Sequence, residues 1–323
     1  MNAFVSIILP VFIVAFRFKS KNDFLCFFDI WMKIMSVCVV FMLITELFDY
    51  ISGFQFTQWM YNFTKVDSFG RMLRAGRPVS YMGHPLFSGE LFLAFYILNH
   101  LSNKLIGKKD RFLWFVICLL GCVLTQGRAA TAIIVIAFVL FNLEWKRFKY
   151  IIILGVILSI GYYLGLFDLI IERLFSSIAN GDISTGRNSS IVELIQTNDL
   201  HLYAFHGQSI DYDGSVTTLG MAMEYPILSW AYSFGYIVSI LISAAVFIYP
   251  LILSIYRKQK IIIISLLAIM LDVNTFTGIS SNGSKALLYY TFVCIILNVS
   301  NYLYYKAQEN NSYAINKAHN SLV

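Results

Sequence analysis

Apolar residues in this chain come in long unbroken runs, not in the one-faced or alternating patterns of a soluble fold. A helix that crosses a bilayer needs about 20 largely apolar residues. By that measure the pattern predicts nine spans, over residues 1–16, 27–48, 84–101, 111–126, 128–143, 149–167, 227–255, 261–279 and 286–305. Polar residues collect in two longer stretches, 49–83 and 168–226, and in a tail over 306–323 that reads as disordered. The expected fold class is all-α: a polytopic integral membrane protein of about nine transmembrane helices, with a single membrane domain over 1–305. The first run lacks the basic region and small-residue cleavage site of a secretory signal and is expected to stay as a helix.

Composition agrees with a bilayer setting. The chain is 58% hydrophobic and 13% charged, with a mean hydropathy of +0.70, which leaves too little polar surface to coat a soluble globule of 323 residues. Trp31, Trp59, Trp114, Trp145 and Trp230 fall mostly near the ends of apolar runs, where rings anchor at headgroup level. Cys26, Cys38, Cys118, Cys122 and Cys294 lie in or beside apolar stretches, without a CxxC pair or a histidine at ligand spacing, so neither a structural disulfide nor a metal site is expected.

The net charge of +6 gains meaning once it is divided between the two membrane faces. Alternate short loops hold Arg17, Lys19 and Lys21; Lys104, Lys108, Lys109 and Arg111; Lys146, Arg147 and Lys149; Arg257, Lys258 and Lys260. Positive loops stay on the cytoplasmic side, which puts the C-terminal tail inside and the N-terminus, 49–83 and 168–226 outside. These cations therefore point to topology and lipid, not to nucleic acid. The outward cations differ in kind: of Lys65, Arg71, Arg74, Arg77, Arg128, Arg173, Arg187 and Lys285, six of eight are arginine. Arginine supplies a rigid fork of donors that fits phosphate or carboxylate and stays protonated in a partly dry site. The outer face thus suits an anion, although arginines also anchor loops to headgroups.

Three stretches carry the candidate chemistry. In GRMLRAGRPVSYMGHPLFSGE, Arg71, Arg74 and Arg77 are three residues apart and share one side if helical, either as a diphosphate clamp or as an interfacial helix on anionic lipid. His84 before Pro85 is a helix-entry residue or a proton-transfer group, and Glu90 is an ionisable group inside a span. In LTQGRAATAIIV, Arg128 sits between two apolar runs joined by almost no loop. A charge there costs about 2.5–3.5 kcal/mol at mid-membrane depth, which favours a functional reason for it. In STGRNSSIVELIQ, Ser190 and Glu193 read as a capping box, with Arg187 beside helix N-terminal amides, an arrangement suited to anions. His201, His206, Asp211, Asp213 and Glu224 follow as titratable groups able to serve as a base. Asp272 and Asn274 near the outer end of the eighth span are candidates for the same cavity. The HExxH, DxD, GxSxG and P-loop patterns are all missing, which removes the residues for metalloprotease, metal-dependent transferase, serine hydrolase and NTPase chemistry.

The order of these elements resembles the O-antigen polymerase (Wzy) and O-antigen ligase superfamily. GRPVSYMGHP, LTQGRAA, STGR, FHGQS and AMEYPILSWAYSFG follow the family's sequence of an arginine and His-Pro element, an LT-x-SR turn and a long loop with GR and glycine elements. The resemblance covers residues 71–240 and implies a GT-C-like, metal-independent and cofactor-free glycosyltransferase. Its substrate would be undecaprenyl-diphosphate-linked oligosaccharide at the outer leaflet of a bacterial inner membrane, with a chain-length regulator as a candidate partner. Carried over, Arg77, Arg128 and Arg187 would neutralise the diphosphate. Glu224 would stand in the place of the ligase histidine and favour a polymerase over a ligase, with His206 and Asp211 as fallback bases and Arg74, His84 and Glu90 lining the substrate. The family's turn serine is Gly127 here, so no hydroxyl is available at that position. An O-antigen ligase, a flippase or other transporter of lipid-linked sugars, and a non-enzymatic assembly partner remain the alternative readings.

Overall fold

The structure, a computed structural model, describes residues 8–108, 110–143, 148–165, 167–179, 181–182, 184, 186–208, 218–275 and 284–320. It is 80% helix, with no strand among the described residues. The α-helices among the described residues are, in order, α1 Leu9–Ala15, α2 Lys21–Ser52, α3 Gln55–Thr64, α4 Asp67–Arg74, α5 Pro85–Ile106, α6 Phe112–Leu124, α7 Arg128–Phe141 and α8 Phe148–Tyr163, then α9 Asp168–Ala179, α10 Arg187–Gln196, α11 Thr218–Ala222, α12 Pro226–Phe234, α13 Tyr236–Ser243, α14 Tyr249–Tyr256, α15 Lys260–Val273 and α16 Ser284–Asn320.

The centre of the bundle is α5, sixteen of whose 22 residues are buried. A helix apolar all round must be covered all round, and α5 is in contact with α2, α6, α7, α15 and α16. The approach to α6 is close: a Cβ on Gly121 would come within 2.3 Å of the Phe92 ring.

The outer helices show why this bundle belongs in a membrane. On α2 the inward face carries Phe28, Met35, Val39 and Met42, all buried. Its outward face carries Ile30, Ile34, Val37, Phe41, Ile44, Phe48 and Ile51, all exposed and spaced three or four residues apart. A stripe of that length facing water would be a large apolar liability, whereas lipid covers it without cost. Among the described residues, three segments, Lys21–Ser52, Tyr236–Tyr256 and Leu287–Gln308, are long and apolar enough to cross a membrane, and shorter apolar helices occupy Phe112–Leu124, Arg128–Phe141 and Lys149–Tyr163.

Several expectations change at element ends. The span expected over 27–48 is a 32-residue helix, about 48 Å at 1.5 Å per residue and longer than the ~30 Å hydrocarbon core. It ends at Gly53, in the left-handed region, and the chain turns into α3 while Asp49 accepts from the Thr57 N–H at 3.0 Å and from its hydroxyl at 2.5 Å. The span expected over 227–255 breaks at Gly235 (φ 95°), and a π-helical stretch, Ala244–Ile248, lies between α13 and α14. The tail expected to be disordered continues α16 as far as Asn320, because residues 284–320 contain neither proline nor glycine to stop a helix.

The Gly121 contact gives a test of this packing. Gly121→Ala should lower the thermal midpoint in detergent, since forcing an extra methyl into a packed core costs about 1–3 kcal/mol. Gly155→Ala on α8, where a Cβ meets nothing within 4 Å, should hold or raise it. Equal effects of the two changes would contradict the packing.

Candidate functional site

At one end of the bundle a cavity of about 730 Å³ is lined by Arg77, Arg128 and Arg187, together with Gln126, Tyr225 and Asn274. The three arginines come from three motifs far apart in the chain. Each is half-buried.

Arg77 follows the end of α4. The helix stops at Arg74, and the chain passes through Gly76 in the left-handed region. Consequently Arg71, Arg74 and Arg77 do not form one helical face: Arg71 and Arg74 are exposed, and Arg77 turns inward. Its Nη2 donates to the Thr125 carbonyl at 2.9 Å, while Gln126 Nε2 donates back to the Gly76 carbonyl at 3.3 Å. Thr125 is the C-terminal cap of α6, so a guanidinium there meets the negative end of the helix dipole. A hydrogen bond from a charged donor contributes about 1.5–3 kcal/mol. Two residues on, Gly127 caps α7 and places Arg128 at its first position. The LTQGR turn thus fixes two of the arginines at once.

Arg187 opens α10, which starts three residues before the expected capping box. Gly186 is the N-cap, so Ser190 and Glu193 lie inside the helix. The cap is supplied by Asp182, which accepts from the Ser184 N–H at 2.8 Å, the Ser189 N–H at 3.0 Å and the Ser189 hydroxyl at 2.7 Å. These hydrogen bonds hold the Asp182 carboxyl well below the usual carboxylate range. Asn188 N–H donates to Ser184 Oγ at 2.8 Å, and Ser190 N–H to the Gly186 carbonyl at 2.9 Å. The amides at positions 188–190 are therefore taken by the chain itself, and any affinity for anions rests on the guanidinium. Arg187 Nε donates to Glu224 Oε2, and Tyr225 donates its hydroxyl to Asn188 Oδ1 at 2.7 Å. A small separate core of Leu194, Ala222, Met223 and Tyr232 holds α10 to the segment bearing Glu224.

The remaining candidates divide by depth. His84 caps α5, its Nδ1 accepting from the Leu86 N–H at 3.3 Å, a helix-entry role. Glu90 lies one turn below Leu86, a cavity-lining residue, and is buried outside the cavity wall, within electrostatic reach of buried Asp272. His206 is exposed and stacks on Tyr203, with ring centroids 4.2 Å apart. Asp211 and Asp213 lie outside the described residues. The cavity also takes in Asn188, Tyr225 and Thr275, whose signal in the sequence was adjacency to Arg187, Glu224 and Asn274, and Ser176, which carried none.

Two glycines hold the loop in place. A Cβ on Gly207 would lie 1.8 Å from the Ser233 carbonyl oxygen, and one on Gly235 would lie 2.6 Å from that of Ala204. That approach lets the Tyr236 and Ile237 N–H groups donate to the Tyr203 and Ala204 carbonyls at 2.9 and 3.1 Å.

Among the described residues, Glu224 sits on Arg187 and Asp182 on the cavity-lining Ser184. Guanidiniums gathered in a partly dry cavity suit a phosphate or carboxylate anion. No family model, curated protein or solved structure matches the chain.

The Asp182 cap predicts a pH response. With its carboxyl depressed in the folded state, its contribution is full above the unfolded value of about 4 and is lost as pH falls through the lower folded value. Limited proteolysis near residue 187 should therefore be slow at pH 7 in the wild type and faster in Asp182→Asn. Identical digestion of the two proteins at pH 7 would count against the cap.

Proposed function

We propose that the chain is a polysaccharide repeat-unit polymerase, an integral membrane glycosyltransferase of GT-C-like architecture. In this reading it spans a bacterial inner membrane nine times, with its N-terminus and the arginine cavity facing the periplasm and its C-terminus in the cytoplasm. The observation that carries the reading is the convergence of Arg77, Arg128 and Arg187 on one cavity, with Glu224 on Arg187.

The donor is a growing glycan on undecaprenyl diphosphate, and the acceptor is a hydroxyl of the next lipid-linked repeat unit. The acceptor oxygen forms a bond to the anomeric carbon, the bond from that carbon to the phosphate oxygen breaks, and its electron pair leaves on the diphosphate. Three guanidiniums stabilise this developing charge, a task that a metal ion performs elsewhere. Glu224 takes the acceptor proton. In the structure that carboxylate is held by Arg187. An incoming diphosphate competes for the same guanidinium and releases Glu224 as a base when substrate is present.

Complementation of a deletion strain tests this reading. The null should accumulate single repeats in place of long-chain polysaccharide, and Arg128→Ala and Arg187→Ala should behave like the null, since removing one oriented donor costs about 10²–10³ in rate. Normal chain length from both variants would overturn the mechanism. Glu224→Gln should lower turnover of the purified protein by roughly 10²–10⁴ with substrate binding kept, the usual cost of losing a general base.

A further inference from the structure

The opposite end of the bundle carries a second basic cavity, of about 520 Å³. Helix α15 runs between the two ends, from Lys260, near Arg257 and Ser300, to Asn274 in the arginine cavity. The second cavity is lined by Arg17, Lys19 and Lys21 from the start of the chain and by Lys306 from α16. Topology alone requires cations in the link between α1 and α2. It does not require them to share a cavity with a lysine nearly 300 positions away.

The walls are built and held. Phe18 N–H donates to Asn298 Oδ1 at 3.0 Å, and Asn298 Nδ2 donates to the Phe16 carbonyl at 3.1 Å, which pins the link to α16. Arg17 Nη1 donates to the Val14 and Phe16 carbonyls at 2.5 and 2.7 Å, closing the end of α1. Lys21 Nζ lies 4.8 Å from the centroid of the Tyr302 ring. Lys21 is also the first residue of the 32-residue α2, whose positive N-terminal end opens onto the same space. Asp23, the acid of that first turn, does not line the cavity. Like charges gathered around one space repel, and an anion placed among them offsets that cost.

The two cavities also differ in chemistry. Lysine, three of the four cations here, is a compact and strongly hydrated charge, suited to a single phosphate at headgroup depth and not to a desolvated diphosphate. We propose that this cavity binds a phosphate ester anion, supplied by the headgroup of an anionic phospholipid in the leaflet on the basic side of the protein. Lys19, Lys21 and Lys306 are its contacts, and Arg17 and Asn298 hold its frame. Clusters of basic residues at the ends of membrane helices bind such headgroups on charge grounds.

Native mass spectrometry of the purified full-length protein, with phosphatidylglycerol or phosphatidylcholine added, tests the site. The wild type should retain phosphatidylglycerol about tenfold more than phosphatidylcholine. Lys19→Gln/Lys21→Gln/Lys306→Gln should lose that preference, and the matching triple change to arginine should keep it, which separates lost charge from lost fold. Free glycerol 3-phosphate, added alone, distinguishes the sources. Binding with the same dependence on the lysines assigns the site to phosphate esters generally, and no such binding assigns it to the lipid. Equal retention of the two lipids by the wild type, or an unchanged preference in the glutamine variant, would overturn the proposal. Neither result bears on the arginine cavity, which shares no residue with this one.

Discussion

The candidate site depends on one hydrogen bond, from the Arg77 guanidinium to the Thr125 carbonyl. It joins a surface segment to the turn between two packed helices, and the returning bond from Gln126 to Gly76 makes the junction two-sided. The carbonyl belongs to a helix end that has run out of backbone donors, and a positive side chain is the favoured partner there. The tie accompanies the inward turn of Arg77, in contrast to the exposed Arg71 and Arg74 of α4. With it, Arg77 and Arg128 share one wall of the cavity, and the loop bearing Arg187 has a fixed surface to face.

Rigidity behind that wall comes from the buried helix α5. Its N-terminus is set by Pro85 and the His84 cap, and Leu86 reaches the cavity within the first turn. Below it, Gly89 lies close to Ala130, and Gly121 accepts the Phe92 ring, so α5, α6 and α7 meet with no room to slide. On the other side of the cavity, among the described residues, polar contacts join a small apolar core: the Arg187–Glu224 ion pair, the Tyr225–Asn188 bond and four buried residues. The Arg187–Glu224 pair lies on the loop side, so a ligand that takes the guanidinium can act on the loop without disturbing the helical wall.

Helical class and the identities of the cavity arginines were legible in the sequence, because both rest on local signals: run length for the helices, and cations set where charge is costly for the arginines. What was not legible depends on competition between distant groups. Ser190 and Glu193 fit a capping pattern, yet Asp182, reaching forward across Ser184, supplies the cap and starts α10 at Arg187. The apolar run through Ser233, Phe234 and Tyr236 reads as continuous. The close pass of Gly207 against Ser233 and the φ of Gly235 break it. Spacing put Arg71, Arg74 and Arg77 on one face, but α4 ends before the third of them. Tyr225 and Asn188 reach the cavity only because the loop folds back on itself, and no spacing rule encodes that.

The proposed function requires three arginines from separate motifs to hold one diphosphate. A cryo-electron microscopy structure of the full-length protein with a prenyl-diphosphate-linked sugar tests it most directly. Phosphoryl oxygens should lie within hydrogen-bond distance of Arg77, Arg128 and Arg187, and the Glu224 carboxylate should be detached from Arg187. Diphosphate density elsewhere on the protein, or an unbroken Arg187–Glu224 pair beside a bound diphosphate, would contradict it.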